Sequence, residues 1–212
     1  GSVWQKSRLS STTSFSSEFK PADFIADKDY NYILKYKLYG QNVVVYRSAL
    51  LYLRYAEAVN RMNKPNLAFA VLKNGLNSTT MFNHAIIPLN EKDSATAALM
   101  NFNDFRFNNN AGIRMRGVGN ADKDTTLYVF QAHASLHDSV LYVENLIQKE
   151  LALETAFEGN RFHDLMRITL RRIKNSEGDA SYLADLIAPK HIGNEAAIRE
   201  KLMHPENWYI KK

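Results

Sequence analysis

Three glutamates at helical spacing are the residues most suggestive of acid-base chemistry in this sequence. Glu150, Glu154 and Glu158 are four residues apart, so they share one face if this stretch is one continuous helix. A general acid and its catalytic partner need different environments to separate their pKa values, which usually requires two elements facing one cleft. Arg161 and Arg167 follow the glutamates and are natural ion-pair partners. We therefore interpret this stripe as a structural ion-pairing face.

The histidines invite a metal-site hypothesis. His133 and His137 are four residues apart and would share a face if helical, as two zinc ligands do. No glutamate follows His133, so the zinc-protease pattern fails, and surface or core histidines are favoured. The chain contains no cysteine, which excludes thiolate metal sites and disulfides. The sequence therefore predicts no metal and no cofactor.

Two further patterns fail on their spacing. The stretch DKDYN opens like a calcium loop, but Tyr32 stands at the glycine position and Leu38 at the bidentate glutamate position. The stretch GIRMRGVGN carries Arg114 and Arg116, which could hold a phosphate or a carboxylate, but its glycine spacing is not that of a phosphate-binding loop. A tight turn with exposed arginines is the favoured interpretation. No nucleophile elbow appears, so the residues indicate a binder or scaffold and not an enzyme.

The composition limits the classes of partner. With 212 residues and 45% hydrophobic content, the chain can bury a substantial core as one domain, or one domain with a small appendage. The net charge of +5 is dispersed, whereas nucleic-acid binders gather basic residues on one face, so no nucleic-acid partner is expected. No stretch approaches the roughly 20 apolar residues of a membrane span.

The N-terminal and central parts of the chain predict loops with a few short strands. Residues 1–20 are rich in Ser and Thr and form a predicted flexible segment. Apolar and polar residues alternate over residues 30–38, which predicts a half-buried strand. Residues 77–138 show only short apolar runs, as in a functional loop or an elaboration with short strands or helices.

A helix pair is predicted over residues 44–77. Helical periodicity starts at Val45, and Pro65 fits the first turn of a second helix that runs to about Gly75. Ala56 and Ala68 are small residues among large ones, so the two helices can approach closely, as in one tetratricopeptide repeat. A single repeat cannot bury its faces alone, so it must stack on another element.

A second helix pair is predicted over residues 138–175. Asp138 or Ser139 is expected to cap its first helix, and Gly159 to supply the left-handed residue between the two helices. Two shorter helices are expected in SYLADLIAP and NEAAIREKLM. The predicted fold class is mainly α with long irregular loops and a few short strands.

This second pair resembles the C-terminal signature of the SusD/RagB family of nutrient-binding outer-membrane lipoproteins. The matching residues are Glu150, Glu154, Phe157, Glu158, Gly159, Arg161, Asp164, Leu165 and Arg167. The stretch containing Ala56, Glu57 and Ala58 is similar to the family's tetratricopeptide-like helix pair. Leu151, Thr155, Phe162 and Ile168 depart from the usual pattern. The physical interpretation of the signature is structural. Gly159 permits a sharp corner between two helices, and charge-assisted hydrogen bonds among Glu158, Arg161, Asp164 and Arg167 can stabilise that corner.

The resemblance implies a SusD-like C-terminal domain over residues 21–212, within a longer protein or a short divergent member. It also implies a non-enzymatic, lipid-anchored protein on the cell-surface side of the outer membrane, part of a polysaccharide utilization system. Such a protein binds oligosaccharide, or peptide in some members, and delivers it to a SusC-like TonB-dependent transporter. The candidates for ligand contact are aromatic or polar residues near irregular segments: Trp4, Tyr30, Tyr36, Arg114 and Arg116.

A tetratricopeptide-like adaptor that binds protein or peptide, with no role for sugar, is the alternative function. An adaptor array would repeat its helix pair at least three times with a period of about 34 residues, and only one pair is recognisable here. The sequence therefore favours glycan binding over the adaptor.

Overall fold

The computed structural model describes residues 48–92, 112–113, 129–131, 133–156 and 158–209. Across these residues the chain is mainly helical, with seven α-helices and no strand, which confirms the predicted mainly-α class. The helices are α1 (Ser48–Arg61), α2 (Pro65–Lys73), α3 (Ser78–Phe82), α4 (Leu136–Glu154), α5 (Asn160–Lys174), α6 (Ser181–Ile187) and α7 (Glu195–Leu202). Short 3₁₀ turns span Leu89–Glu91, Ala188–Lys190 and Pro205–Asn207. The strand predicted over residues 30–38 and the segment 1–20 lie outside the described residues.

The chain divides into two compact units, Gly1–Glu154 and Thr155–Lys212. In the first, α1 and α2 form a tight helical hairpin. Asn63 turns the chain with a left-handed φ of 60°, and Pro65 starts α2 at a position where its missing N–H costs nothing. Ala56 and Ala68 are both fully buried, so small residues lie where the two helices approach.

Helix α4 packs against both helices of this hairpin. Its Val143, Ile147 and Leu151 join the core that the hairpin forms with Leu53 and Leu72. Polar contacts fix the pairing of α1 with α4. The Asn60 amide donates to the Val140 carbonyl oxygen at 2.8 Å, and Arg61 forms an ion pair with the buried Glu144. Removing one partner of a buried ion pair is costly. The pair between Arg61 and Glu144 therefore favours the packing of α1 on α4.

The start of α4 corrects one prediction. The helix begins at Leu136, not after Asp138 or Ser139. The Ser135 hydroxyl accepts a hydrogen bond from the Asp138 N–H at 3.0 Å and donates to the Asp138 carboxylate at 2.7 Å. The Ser135 hydroxyl thus satisfies one backbone donor that the first turn would leave unpaired, and the Asp138 carboxylate in turn accepts from that hydroxyl. The earlier serine therefore acts as the cap.

The N-terminus of α2 is capped by a residue from a distant part of the chain. Lys64 precedes the helix, and its side chain makes no capping hydrogen bond. Instead the buried Glu91 accepts from the Leu67 N–H at 2.8 Å and from the Asn66 amide at 2.6 Å. A carboxylate at this position satisfies an unpaired helix donor and interacts favourably with the helix dipole.

The second unit is built from α5, α6 and α7. Its core contains Leu165 of α5, Leu183 and Ala184 of α6, and Leu202 of α7. Trp208 closes this core, and its indole N–H donates to the Leu202 carbonyl oxygen at 2.7 Å. That bond satisfies a carbonyl at the C-terminal end of α7, where no intrahelical donor remains.

Within the part of the chain that the structure describes, no helix has both the length and the apolar composition needed to cross a membrane.

Candidate functional site

The residues that match the family signature fall on α4, on the connection that follows it and on α5. Their described members are Glu150, Glu154, Glu158, Gly159, Arg161, Asp164, Leu165 and Arg167. Phe157 lies outside the described residues. Glu150, Asp164 and Leu165 are buried, whereas Gly159 and Arg167 are exposed. Burial of Leu165 and of two of the four described carboxylates, Glu150 and Asp164, is consistent with a structural role for those three residues.

The end of α4 corrects the predicted stripe of three glutamates. The helix stops at Glu154, and the Glu158 N–H donates to the Thr155 carbonyl oxygen at 3.0 Å within a turn. Gly159 then adopts a φ of 75°, directly before α5. The prediction of one continuous stripe is therefore wrong, because the chain leaves helical geometry at Thr155. No atom lies within 4 Å of the position a Cβ would take at Gly159, so the left-handed φ alone favours glycine there.

The charged signature residues of α5 lie close to one another within the second unit. Arg167 Nη2 lies 3.5 Å from Oδ1 of the buried Asp164, one helical turn away. Burial lowers the pKa of the Arg161 guanidinium, while Tyr182 and Asp164 act in the opposite direction. Both arginines thus place positive charge near Asp164. The ion pair between Arg167 and Asp164 therefore lies within α5 itself.

The residues predicted to contact ligand lie outside the described residues, so the structure gives them no geometry: Trp4, Tyr30, Tyr36, Arg114 and Arg116. The histidine pair is separated, since His133 precedes α4 and His137 lies on it. The His133 ring packs on Tyr142 with ring centroids 4.6 Å apart. Among the residues with described positions, no group of three or more histidines, aspartates or glutamates could hold a metal ion.

A solvent-open cleft of about 480 Å³ lies beside α6 in the second unit. Its lining combines one aromatic ring, an arginine, two carboxylates, a hydroxyl and an apolar side chain. The lining residues are Arg172, Gly178, Asp179, Ser181, Tyr182, Asp185 and Leu186. Small-molecule sites are lined mainly by apolar and aromatic side chains with a few polar groups. The lining here is mostly polar around one aromatic ring. We call this candidate site the Tyr182 cleft.

The Tyr182 ring is held in place by an arginine. The guanidinium carbon of Arg172, on the last turn of α5, lies 3.8 Å from the ring centroid. Arg172 is only 8% exposed, so this cation–π contact is largely desolvated and is worth about 1–2 kcal/mol. The guanidinium therefore covers one face of the Tyr182 ring and restrains its orientation.

The two carboxylates of the Tyr182 cleft are also fixed. Asp179 Oδ1 accepts from the Ser181 N–H at 2.8 Å. Hydrogen bonds from Ser181, first from its side chain and then from its backbone, hold the pKa of Asp179 below its usual value of 3.8. Asp185 Oδ1 accepts from Arg199 Nε at 2.8 Å. Asp179 is thus ionised at neutral pH, the opposite of what a general acid requires, so its chemistry suits hydrogen-bond acceptance.

The sequence analysis predicted α6 but did not identify this cleft. The sequence did contain a signal for it. Asp179 and Ser181 are residue types that favour helix starts, and the aromatic Tyr182 comes directly after them. The contribution of Arg172 could not be read in the same way. It comes from a different helix, and only the packing of α5 on α6 brings it under the ring.

Comparisons of this chain with models of protein families, with curated proteins and with solved structures find no match.

Proposed function

We propose that this chain is a non-enzymatic, cell-surface glycan-binding protein of a nutrient uptake system, related to the SusD/RagB family. It would deliver oligosaccharide to a SusC-like TonB-dependent transporter, and the protein would be held at the outer membrane by a lipid anchor. The observation that carries this proposal is the ordered set of signature residues from Glu150 to Arg167.

The backbone at the signature supports the proposal. A left-handed glycine directly precedes α5, within the Glu-Gly-x-Arg element that is the most specific part of the signature. Asp164 and Leu165 follow in the first turns of that helix, and both are buried. Each residue type thus has a physical role where the pattern puts it: glycine for the backbone turn, leucine for the core and aspartate for a pair with Arg167.

The α1/α2 hairpin is consistent with the tetratricopeptide-like helix pair that the proposed family and the alternative adaptor share. Its small residues Ala56 and Ala68 are fully buried, and α4 covers the hairpin. A tetratricopeptide-like pair needs both features, because small residues allow close approach and a third element must cover the exposed face.

A binding screen of the whole chain tests the proposal. We would titrate it with host and plant oligosaccharides and with short peptides, by thermal shift and calorimetry. Saturable binding of one glycan class is expected. Trp4→Ala, Tyr30→Ala and Tyr36→Ala then test the predicted contacts, and Tyr209→Ala, which removes an exposed aromatic ring in the second unit, is the matched control.

Binding of peptides by a folded chain that binds no glycan would contradict the proposal. That result would favour the tetratricopeptide-like adaptor, which uses helical surfaces to hold protein segments.

A further inference from the structure

We propose that the solvent face of α1 is a self-association surface, through which two copies of this chain pair as an antiparallel helix dimer. The surface consists of Leu51, Tyr55, Ala58 and Met62, and we call it the α1 stripe. The inference concerns only how α1 packs, so it does not depend on the proposed glycan ligand.

The α1 stripe is apolar although it faces solvent. Leu51 is 58% exposed and Met62 is 62% exposed, Ala58 is also exposed, and Tyr55 is partly exposed. An α-helix turns by about 100° per residue, so these four residues lie within about 60° of one another. Met62 directly follows α1, but its N–H donates to the Ala58 carbonyl oxygen at 3.1 Å, so Met62 keeps its place on the stripe.

The polar side chains of α1 lie elsewhere on the helix. A surface helix usually directs its charged residues towards water. In α1, Arg61 instead forms an ion pair with the buried Glu144 of α4, and Arg54 Nη1 lies 3.5 Å from Oε2 of Glu57. The charges of this helix are thus paired within the chain. The α1 stripe is therefore suited to an apolar partner and not to a charged one.

The spacing of the α1 stripe is self-complementary. Its residues follow one another at intervals of four, three and four, as in the seam of a coiled coil, and this order is the same from either end. In an antiparallel pair related by a twofold axis, Leu51 of one copy lies opposite Met62 of the other, and Tyr55 lies opposite Ala58. The largest side chain of the stripe thus faces the smallest, so a second copy fits the surface.

The size of the α1 stripe determines the expected strength of the dimer. Specific interfaces bury at least about 1,000 Å² in total. Two helices of about four turns that pack along one stripe each bury an area on the order of this lower limit. We therefore expect a reversible dimer with a dissociation constant of about 1–100 µM.

Sedimentation velocity of the whole chain, over about 1–200 µM, tests for this dimer. Leu51→Glu and Met62→Lys each place a charge against an apolar residue of the other copy, so each should weaken dimerisation at least about tenfold. Ile192→Glu is the matched control, because it adds the same charge at a 93% exposed residue of the second unit. The control should dimerise as the unmodified chain does.

A mixture of the two charged variants tests the antiparallel order. In that order, the carboxylate introduced at position 51 of one variant lies opposite the ammonium introduced at position 62 of the other. The opposite end of the interface keeps its contact between Leu51 and Met62. The mixture should therefore dimerise more strongly than either variant alone.

The absence of cysteine provides a second test of the order, since one introduced thiol is the only thiol in each chain. A mixture of Leu51→Cys and Met62→Cys should cross-link in air-saturated buffer faster than either variant alone. In a parallel pair, position 51 would lie opposite position 51, and Leu51→Cys alone would cross-link fastest.

Three results would overturn the inference: a chain that stays monomeric up to about 200 µM, a dimer that persists in both charged variants, or fastest cross-linking of Leu51→Cys alone. Circular dichroism melting of each variant confirms that it is folded, and little change is expected because the substituted side chains are exposed. These experiments contain no glycan, so their failure is distinct from failure of the proposed function.

Discussion

At the residue scale, Gly112 occupies a position that leaves no room for a side chain. A Cβ built there would lie 2.2 Å from the carbonyl carbon of Lys73, at the end of α2. The next residue, Ile113, is buried in the core of the first unit. The backbone of Gly112 thus packs directly on the backbone of α2, and only glycine permits this approach.

We expect Gly112→Ala to lower the free energy of unfolding by about 3 kcal/mol, because the backbone at both sides of the clash must shift. Urea denaturation measures this change. Gly178→Ala is the matched control, since its Cβ would meet Arg172 Cβ at 3.8 Å, an ordinary contact. The control should alter stability by no more than about 0.5 kcal/mol. Equal losses in the two variants would show that the close approach at Gly112 is absent.

At the scale of secondary-structure elements, α2 depends on a cap that its own sequence does not supply. Glu91 belongs to the 3₁₀ turn Leu89–Glu91 and reaches the first turn of α2, at Asn66 and Leu67. The carboxylate is buried, so water cannot replace it when it is removed.

Glu91→Gln is expected to cost about 1–2 kcal/mol, because the amide keeps one acceptor but loses the charge at the helix N-terminus. Glu91→Ala should cost more, since it leaves a buried N–H without its acceptor. Glu195→Gln is the control, being an exposed acid in the first turn of α7. Thermal melts compare the three variants. If Glu195→Gln lowered the thermal stability as much as Glu91→Gln, the effect would be a general one of negative charge near a helix N-terminus and not of the buried cap.

At the scale of the whole molecule, each compact unit has its own hydrophobic core. Leu72 is fully buried in the core of the first unit, and Leu183 is fully buried in that of the second. Separate cores are the usual basis of separate cooperative units.

We expect Leu72→Ala and Leu183→Ala each to cost about 2–5 kcal/mol of stability in the unit that contains the substitution. Hydrogen exchange followed by mass spectrometry measures the protection of α1 and α4 against that of α5 and α6. Leu72→Ala should reduce protection chiefly in the first pair and Leu183→Ala chiefly in the second. A uniform loss across all four helices in both variants would mean that the chain unfolds as one unit.

Local signals in the sequence predicted several parts of this fold. The helical period after Val45 and the proline at position 65 predicted α1 and α2, and Gly159 was expected to take the left-handed conformation that it has. These features depend on neighbours within one or two helical turns. The steric limits on φ and the spacing of apolar residues along a helix are both set by residues this close in sequence.

The sequence by itself thus determined the helical class, the α1/α2 hairpin and the glycine turn before α5. Only the tertiary structure decided that Glu91 caps α2, that Arg172 fixes Tyr182 and that Glu158 leaves the helical face. The first two are contacts between residues on different elements, and the third is the choice of where α4 ends. Such contacts depend on which helix surfaces pack together. The spacing of apolar residues shows which face of a helix is buried, but it does not show which other element covers that face.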